Sequence, residues 1–239
     1  MIVAGPRESC LNWIQSYMNL PIVQSTQGVT LAGGGPFSAR DLALALKRAP
    51  VPVAADSGAD RLLNLGAMPE AVIGDMDSIS TAARARIPVE RQHLVAEQAT
   101  TDFDKALRLI EAPLVLALGF AGARMDHGLA AMATLIARAE RRCILIGPKD
   151  LAFAAPPRLE LALGPGEPLS LFPMAPVTGR SAGLEWPIAG ISFAPDGMIG
   201  TSNRVRARQV VLEFDRRGML VILPRRRLDA AIRALLAAG

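Results

Sequence analysis

Short, continuous apolar runs alternate with longer amphipathic segments over roughly the first 150 residues. The apolar runs predict strands that are buried on both faces, and they occupy 27–32, 51–55, 71–73, 93–95, 114–118 and 143–147. Between these runs, the pattern predicts helices at 38–47, 58–65, 102–110 and 129–139. Strands and helices that alternate at this spacing indicate parallel βαβ units. We therefore expect an α/β domain with a mostly parallel, Rossmann-like sheet.

The pattern changes after Pro148. Prolines and glycines separate short segments from there on, and apolar residues at Val210, Leu212 and Phe214 alternate with more polar ones. This alternation is typical of antiparallel strands. We expect an all-β domain over 154–239, after an α/β domain over 1–153. A terminal helix is expected at 228–238, and residues 1–25 receive no role.

Composition and charge narrow the functional classes. Apolar residues make up 51% of the chain, which supports a sizeable core. The 26 basic and 22 acidic side chains give a formal charge of +4 without a concentrated basic stripe, so we expect no nucleic-acid partner. No apolar stretch is long enough to cross a bilayer, and no signal peptide is evident. With only Cys10 and Cys143 as cysteines, we expect a reduced, cytoplasmic setting.

The most informative chemistry lies in Gly74-Asp75-Met76-Asp77-Ser78. If this segment is extended, Asp75 and Asp77 point the same way, and their charges repel each other unless a cation lies between them. Carboxylate oxygens in this arrangement suit Mg²⁺. The alternative is an ordinary turn, since Gly-Asp and Asp-Ser are common in loops. A second acidic cluster, with Asp102 and Asp104, follows one βα unit later.

Further polar residues follow other predicted strands. Asp56-Ser57-Gly58 opens a helix directly after a strand, where ligands of open α/β sheets bind and free N–H groups can hold an anion. A later junction places Arg124, Asp126 and His127 after a glycine-rich turn. Arg124 is suited to clamping phosphate oxygens. The alternatives are that Asp126 caps the following helix and that His127 is a packed, hydrogen-bonded residue.

These segments, taken in order, resemble the motifs of the thiamine pyrophosphokinase family. The resemblance covers roughly residues 28 to 223. It rests on Ala55-Asp56-Ser57-Gly58-Ala59, Ile73-Gly74-Asp75-Met76-Asp77-Ser78, Thr101-Asp102-Phe103-Asp104-Lys105, Gly122-Ala123-Arg124-Met125-Asp126-His127, Leu171-Phe172-Pro173, Val177-Thr178-Gly179, Gly183-Leu184-Glu185-Trp186-Pro187 and Thr201-Ser202-Asn203.

The resemblance implies an α/β domain followed by a β-sandwich, and a homodimer with active sites between its subunits. The implied reaction transfers a pyrophosphoryl group from ATP to thiamine, giving AMP and thiamine diphosphate. The implied Mg²⁺ ligands are Asp75, Asp77 and Asp102, with Arg124 beside them in catalysis. The residues implied for the nucleotide phosphates are Asp56, Gly58, Lys105, Asp126 and His127. Those implied for thiamine are Gln98, Trp186, Ser202 and Asn203.

The sequence departs from the family pattern at several positions. Ala99 and Ala131 stand where the family often has Asp and Asn, and Ser57 and Asp60 replace Gly and Asn. Two alternatives therefore stay open: a non-catalytic module that binds nucleotide or thiamine, and a pyrophosphokinase for another alcohol. Trp186 has its own alternative, as an aromatic residue in the core of the second domain.

Overall fold

A computed structural model of the chain describes residues 20–122 and 124–238. The helices are α1 (Ala39–Leu46), α2 (Gly58–Asn64), α3 (Thr81–Arg86), α4 (Asp102–Arg108), α5 (Met125–Ala137) and α6 (Leu228–Ala237), with 3₁₀ turns at Val89–Arg91 and Arg225–Arg227. The strands are β1 (Val23–Gln24), β2 (Val29–Ala32), β3 (Val51–Ala55), β4 (Ala71–Gly74), β5 (Gln92–Leu94), β6 (Ile110–Glu111), β7 (Val115–Leu118), β8 (Cys143–Ile146), β9 (Asp150–Ala154), β10 (Arg158–Ala162), β11 (Pro168–Pro173), β12 (Val177–Ala182), β13 (Ser192–Phe193), β14 (Gly200–Arg204), β15 (Gln209–Phe214) and β16 (Met219–Pro224).

One ten-stranded sheet, in the order β14-β11-β16-β9-β8-β7-β2-β3-β4-β5, organises the molecule. The six strands from β8 to β5 are parallel, as the apolar runs predicted. The other four extend the sheet in antiparallel fashion. The order of the parallel strands reverses between β2 and β7, and such a reversal opens a crevice at the carboxyl ends of the strands.

Helices cover both faces of the parallel strands. Leu42 of α1 and Leu62 of α2 pack in one buried cluster, with every second residue of the strands. Phe103 of α4 and Leu135 of α5 pack in the other, with the alternate residues. Because both faces are covered, the strands read as continuous apolar runs in the sequence.

A second, antiparallel sheet has the order β10-β15-β12-β13. The predicted alternation in β15 is confirmed, since Val210, Leu212 and Phe214 are buried. This sheet shares one core cluster with residues of the large sheet such as Phe153, and with Leu235 of α6. The large sheet also continues through residue 153, because β9 pairs with both β8 and β16. The domain boundary placed there stays a prediction, as do the finer Rossmann-like and sandwich descriptions.

Several element bounds differ from the expected ones. Helix α5 begins at Met125, before the predicted start at 129. The predicted start was too late because the polar residues and Gly128 of the first turn hide the helical period in the sequence. Helix α4 ends at Arg108, and Ile110 instead joins β6, which pairs with β1. Cys10 and most of segment 1–25 lie outside the described residues. Among the described helices, none has the length and apolar character needed to cross a membrane.

Candidate active site

Three carboxylates meet at the carboxyl ends of neighbouring parallel strands. Asp56 follows β3, Asp75 follows β4, and Asp102 begins α4, the helix after β5. One carboxylate oxygen from each lies within 4.8 Å of the others. The parallel topology therefore gathers residues that are far apart in the sequence into a set that can surround one cation.

Asp56 is the buried member of this set. Its Oδ2 accepts a hydrogen bond of 3.1 Å from the backbone N–H of Ser78, whereas its Oδ1 is buried without a hydrogen-bond partner. Burial raises the pKa of Asp56, and the charges of Asp102 and Asp75 add to the rise. A buried oxygen without a partner costs free energy, and a divalent cation would provide one. The donor set fits Mg²⁺, which prefers hard oxygen ligands.

Lys105 holds the other two carboxylates together. It lies one turn after Asp102 on α4, its side chain is 2% exposed, and its Nζ is 3.1 Å from Asp102 Oδ1 and 3.2 Å from Asp75 Oδ2. Burial lowers the pKa of Lys105, but hydrogen bonds to Asp102 and Asp75 outweigh it and raise the pKa. Burial alone would raise the pKa of Asp75, but the hydrogen bond from Lys105 outweighs burial, so the pKa of Asp75 is lowered. Lys105 is therefore an internal counter-ion.

Asp77 does not join the three carboxylates. The segment after β4 bends, and Met76 has φ of +63° with a buried side chain, so the interpretation of 74–78 as extended is wrong. Asp77 is exposed, and its Oδ1 accepts a hydrogen bond of 2.8 Å from the hydroxyl of Ser78. The segment bends after Asp75, and Asp56 is the residue that lies together with Asp75 and Asp102; the assignment of Asp77 as a metal ligand stays a prediction.

A cleft of about 490 Å³ opens onto these groups. Gln98 donates a long hydrogen bond of 3.4 Å to Asp75 Oδ2 at its wall. Of the predicted phosphate residues, Gly58 is not in the lining; it is buried, and a Cβ there would lie 2.0 Å from the carbonyl oxygen of Ala32. Lining residues to which the sequence assigned no role include Ser78, Thr100, Thr101, Phe103 and Phe120. Only their positions beside the acidic motifs and glycine-rich turns could have indicated them.

Arg124 and His127 also line the cleft, and both are exposed. Arg124 forms an ion pair with Asp126, with Nη2–Oδ2 and Nε–Oδ1 distances of 2.6 and 3.1 Å. Hydrogen bonds from Arg124 and from the His127 N–H lower the pKa of Asp126 to about 2. Two alternatives are wrong: Asp126 is not the cap of α5, whose N-cap residue is Arg124, and His127 is not packed inside.

Of the predicted thiamine residues, Gln98 lies at the carboxylate cleft, whereas Trp186 and Asn203 line a separate groove of about 180 Å³. Trp186 is 52% exposed, so its assignment to the core is wrong. Asn203 is buried and accepts from the N–H of Trp186 at 3.3 Å while donating to its carbonyl at 2.7 Å. Ser202 has φ of +61°, and its N–H donates to Ser170 Oγ. Asn203 therefore positions Trp186, the exposed aromatic surface of the groove.

One chain does not bring the groove and the carboxylates together. Asn203 lies in β14, an edge strand of the large sheet, whereas Asp75 follows β4 near the opposite edge. Eight strand steps of about 4.8 Å separate β14 from β4, which is roughly 35–40 Å across the sheet.

Family models match two parts of the chain. "Thiamin pyrophosphokinase, catalytic domain" matches residues 42–146. "Thiamin pyrophosphokinase, vitamin B1 binding domain" matches residues 158–219. The two matches together span well over half of the sequence and contain the three carboxylates and the Trp186 groove. A comparison with curated proteins finds no match.

Solved structures with the same fold include several thiamin pyrophosphokinases. The enzyme from Candida albicans has a TM-score of 0.69 at 16% identity, over 94% of this chain and 95% of the other. The yeast enzyme gives 0.69 at 17% identity, over 93% and 92%. The Geobacillus thermodenitrificans protein gives 0.68 at 19% identity, over 82% and 96%. At these identities the structures establish the shared fold, and with the two family matches the conclusion is that this chain belongs to the thiamin pyrophosphokinase family.

Proposed function

We propose that this chain transfers a pyrophosphoryl group from ATP to the hydroxyl group of thiamine, giving AMP and thiamine diphosphate, with Mg²⁺ held by Asp56, Asp75 and Asp102. Membership of the thiamin pyrophosphokinase family supports this reaction. The observation that carries the metal site is the buried, unpartnered Oδ1 of Asp56 beside two further carboxylates. Asp77, two residues beyond Asp75, stays a proposed additional ligand.

The charges of the site support a divalent cation. When ionised, the three carboxylates and the ammonium of Lys105 together carry two negative charges, which one divalent cation balances. A bound Mg²⁺ would neutralise and orient phosphate oxygens. Transfer of a phosphoryl group depends mainly on such positioning and electrostatic stabilisation.

Other residues of the chain have separate roles in this proposal. Lys105 fixes Asp75 and Asp102 in place, and Arg124 contributes its planar guanidinium to phosphate oxygens at the mouth of the cleft. Gln98 and the groove of Trp186 receive thiamine, whose cationic ring is attracted to the indole face. Ser202 and Asn203 support the same groove.

We further propose a homodimer in which the cleft of one chain faces the Trp186 groove of its partner. The separation across the sheet supports this arrangement, because phosphate and acceptor must meet at one site. The exposed apolar residues around the groove, Trp186, Met198 and Ile199, also favour a partner surface.

The reaction is tested by thiamine-dependent release of AMP. Asp75→Asn should lower kcat by more than about 100-fold, since loss of a group that only hydrogen-bonds to a metal ligand already costs about 10- to 100-fold. Asp150→Asn removes an exposed carboxylate on β9 and should leave the rate unchanged. Undiminished turnover by Asp75→Asn would exclude Asp75 as a metal ligand. Release of AMP with another alcohol but not with thiamine would exclude thiamine as the acceptor.

The burial of Asp56 predicts a stabilising mutation. Asp56→Asn should raise the melting temperature of the metal-free protein at neutral pH, because it removes a buried charge and because Asn tolerates the φ of +43°. The folded pKa of Asp56 is raised, so ionisation costs stability above the unfolded value of about 3.9. The gain should therefore disappear as the pH falls below that value.

Thermal melts in a chelator and in MgCl₂ measure this effect. Added Mg²⁺ should stabilise the parent protein and stabilise Asp56→Asn less. A lower melting temperature for metal-free Asp56→Asn at neutral pH would contradict the assignment of Asp56 as an uncompensated buried carboxylate.

The shared-site dimer predicts complementation between inactive chains. When Asp75→Asn and Trp186→Ala chains are mixed, each heterodimer has one intact site out of two. Random reassortment makes about half of the dimers heterodimers, so about a quarter of the parent activity should return. Mixing Asp75→Asn with Asp102→Asn is the matched control and should restore none, because both lesions affect the carboxylates. Absence of recovery in heterodimers of the first pair would refute the shared site.

A further inference from the structure

One wall of the carboxylate cleft is the loop between β5 and α4. Residues 95–101 form this loop, which has no helix or strand of its own, and Gln98, Thr100 and Thr101 from it line the cleft. A segment without regular backbone pairing is held mainly by what its side chains bind. The position of this wall therefore depends on the residues that anchor the loop to the rest of the chain.

Glu97 anchors the loop with both oxygens of its carboxylate. Its Oε1 accepts a hydrogen bond of 2.7 Å from the Thr100 hydroxyl, and its Oε2 accepts one of 2.9 Å from Nη2 of Arg108. The first bond joins the two residues that flank Gln98 and Ala99. The second ties the loop to α4, of which Arg108 is the last residue.

The ion pair between Glu97 and Arg108 is largely buried. The two side chains are 17% and 18% exposed, and the Nε of Arg108 is buried without a hydrogen-bond partner among the described groups. The hydrogen bond from Thr100 holds the pKa of Glu97 below its usual range and Arg108 contributes to this, although burial opposes both. Glu97 is therefore ionised at neutral pH and balances the charge of Arg108.

A buried ion pair of this kind determines geometry more than stability. The cost of moving two charges out of water roughly offsets their attraction, whereas loss of one partner leaves the other charge buried and unpaired. The surrounding chain then tends to move so that water reaches this charge. Helix α4 is packed in the core through Phe103 and Leu107, so the loop is the part that would move.

Gln98 depends on this anchoring more than on contacts of its own. Its side chain makes one long hydrogen bond of 3.4 Å, to Asp75 Oδ2. A bond of this length holds a side chain weakly. The place of the Gln98 amide group in the cleft is therefore set by the backbone of the loop, which Glu97 holds on one side of Gln98 directly and on the other through Thr100.

We propose that Glu97 and Arg108 are positioning residues of the reaction, whose ion pair holds the loop so that the Gln98 amide group faces the substrate. The inference rests on the proposed function, in which Gln98 contacts thiamine. Arg108 lies outside the lining of the cleft. An effect of Arg108 on thiamine is therefore transmitted through Glu97 and the loop.

Steady-state kinetics of thiamine-dependent AMP release test the inference. Gln98→Ala should raise the KM for thiamine roughly two- to tenfold, the range expected for one hydrogen bond. Glu97→Gln and Arg108→Gln should raise it towards that value and not beyond it, with the KM for ATP within about twofold of the parent value. Adding Arg108→Gln to Gln98→Ala should have no further effect, because both changes act on the same amide group. Glu90→Gln, at an exposed glutamate of the preceding 3₁₀ turn, is the matched control and should change neither KM.

A second variant separates positioning from a general loss of stability. Glu97→Leu combined with Arg108→Met leaves no buried charge behind, so its melting temperature should stay near the parent value. The same variant should still raise the KM for thiamine. Its backbone amides at 96–100 should exchange hydrogen faster than in the parent, whereas those of β7 should exchange at the parent rate.

Three results would overturn the inference: an unchanged KM for thiamine in Arg108→Gln and in the double variant, an equal rise in the KM for both substrates, or additive effects of Arg108→Gln and Gln98→Ala. In each case Gln98→Ala alone would still raise the KM for thiamine. If Gln98→Ala left that KM unchanged, or if the parent released no AMP with thiamine, the proposed function would fail and the inference with it.

Discussion

Electrostatic repulsion among Asp56, Asp75 and Asp102 is the constraint on which the site depends. The parallel strands place these residues at one edge, where one buried ammonium from Lys105 balances only part of their charge. A buried charge is tolerated only with partners, and the Oδ1 of Asp56 has none among the described protein groups. The fold therefore leaves part of this negative charge unbalanced, and the proposed divalent cation would balance it and bind the three carboxylates.

The same sheet that gathers the carboxylates separates them from the Trp186 groove. β14, which carries Asn203 of the groove, is the antiparallel strand at the far edge of this sheet. Its distance from the cleft therefore follows from the strand order. Under the proposed function, the cleft and the groove of a single chain would hold the two substrates too far apart to react.

Much of the fold was predictable from the sequence, because buried parallel strands produce continuous apolar runs and their connecting helices have a clear period. The site was predictable only in part. Asp102 and Asp104 are equivalent in the motif, yet Asp102 faces the cleft and Asp104 binds Arg138, the C-cap residue of α5, at 2.8 and 3.0 Å. The choice between them depends on helix phase relative to the sheet. Similarly, the positive φ of Met76 turns Asp77 away from Asp75, a backbone conformation that a Met residue gives no reason to expect. The exposure of Trp186 could not be predicted either, because it depends on the hydrogen bonds by which Asn203 holds the backbone of Trp186.

The central claim is that Asp56, Asp75 and Asp102 form one divalent-cation site. Anomalous diffraction from crystals soaked with Mn²⁺ and an unreactive ATP analogue tests it most directly. The account predicts a single strong peak, or the stronger of two, with an oxygen of each of the three carboxylates either bonded to the ion at about 2.0–2.3 Å or linked to it through one water. A peak that contacts Asp77 and lies beyond reach of Asp56, or full anomalous occupancy in crystals of Asp56→Asn with unchanged ligands, would contradict it.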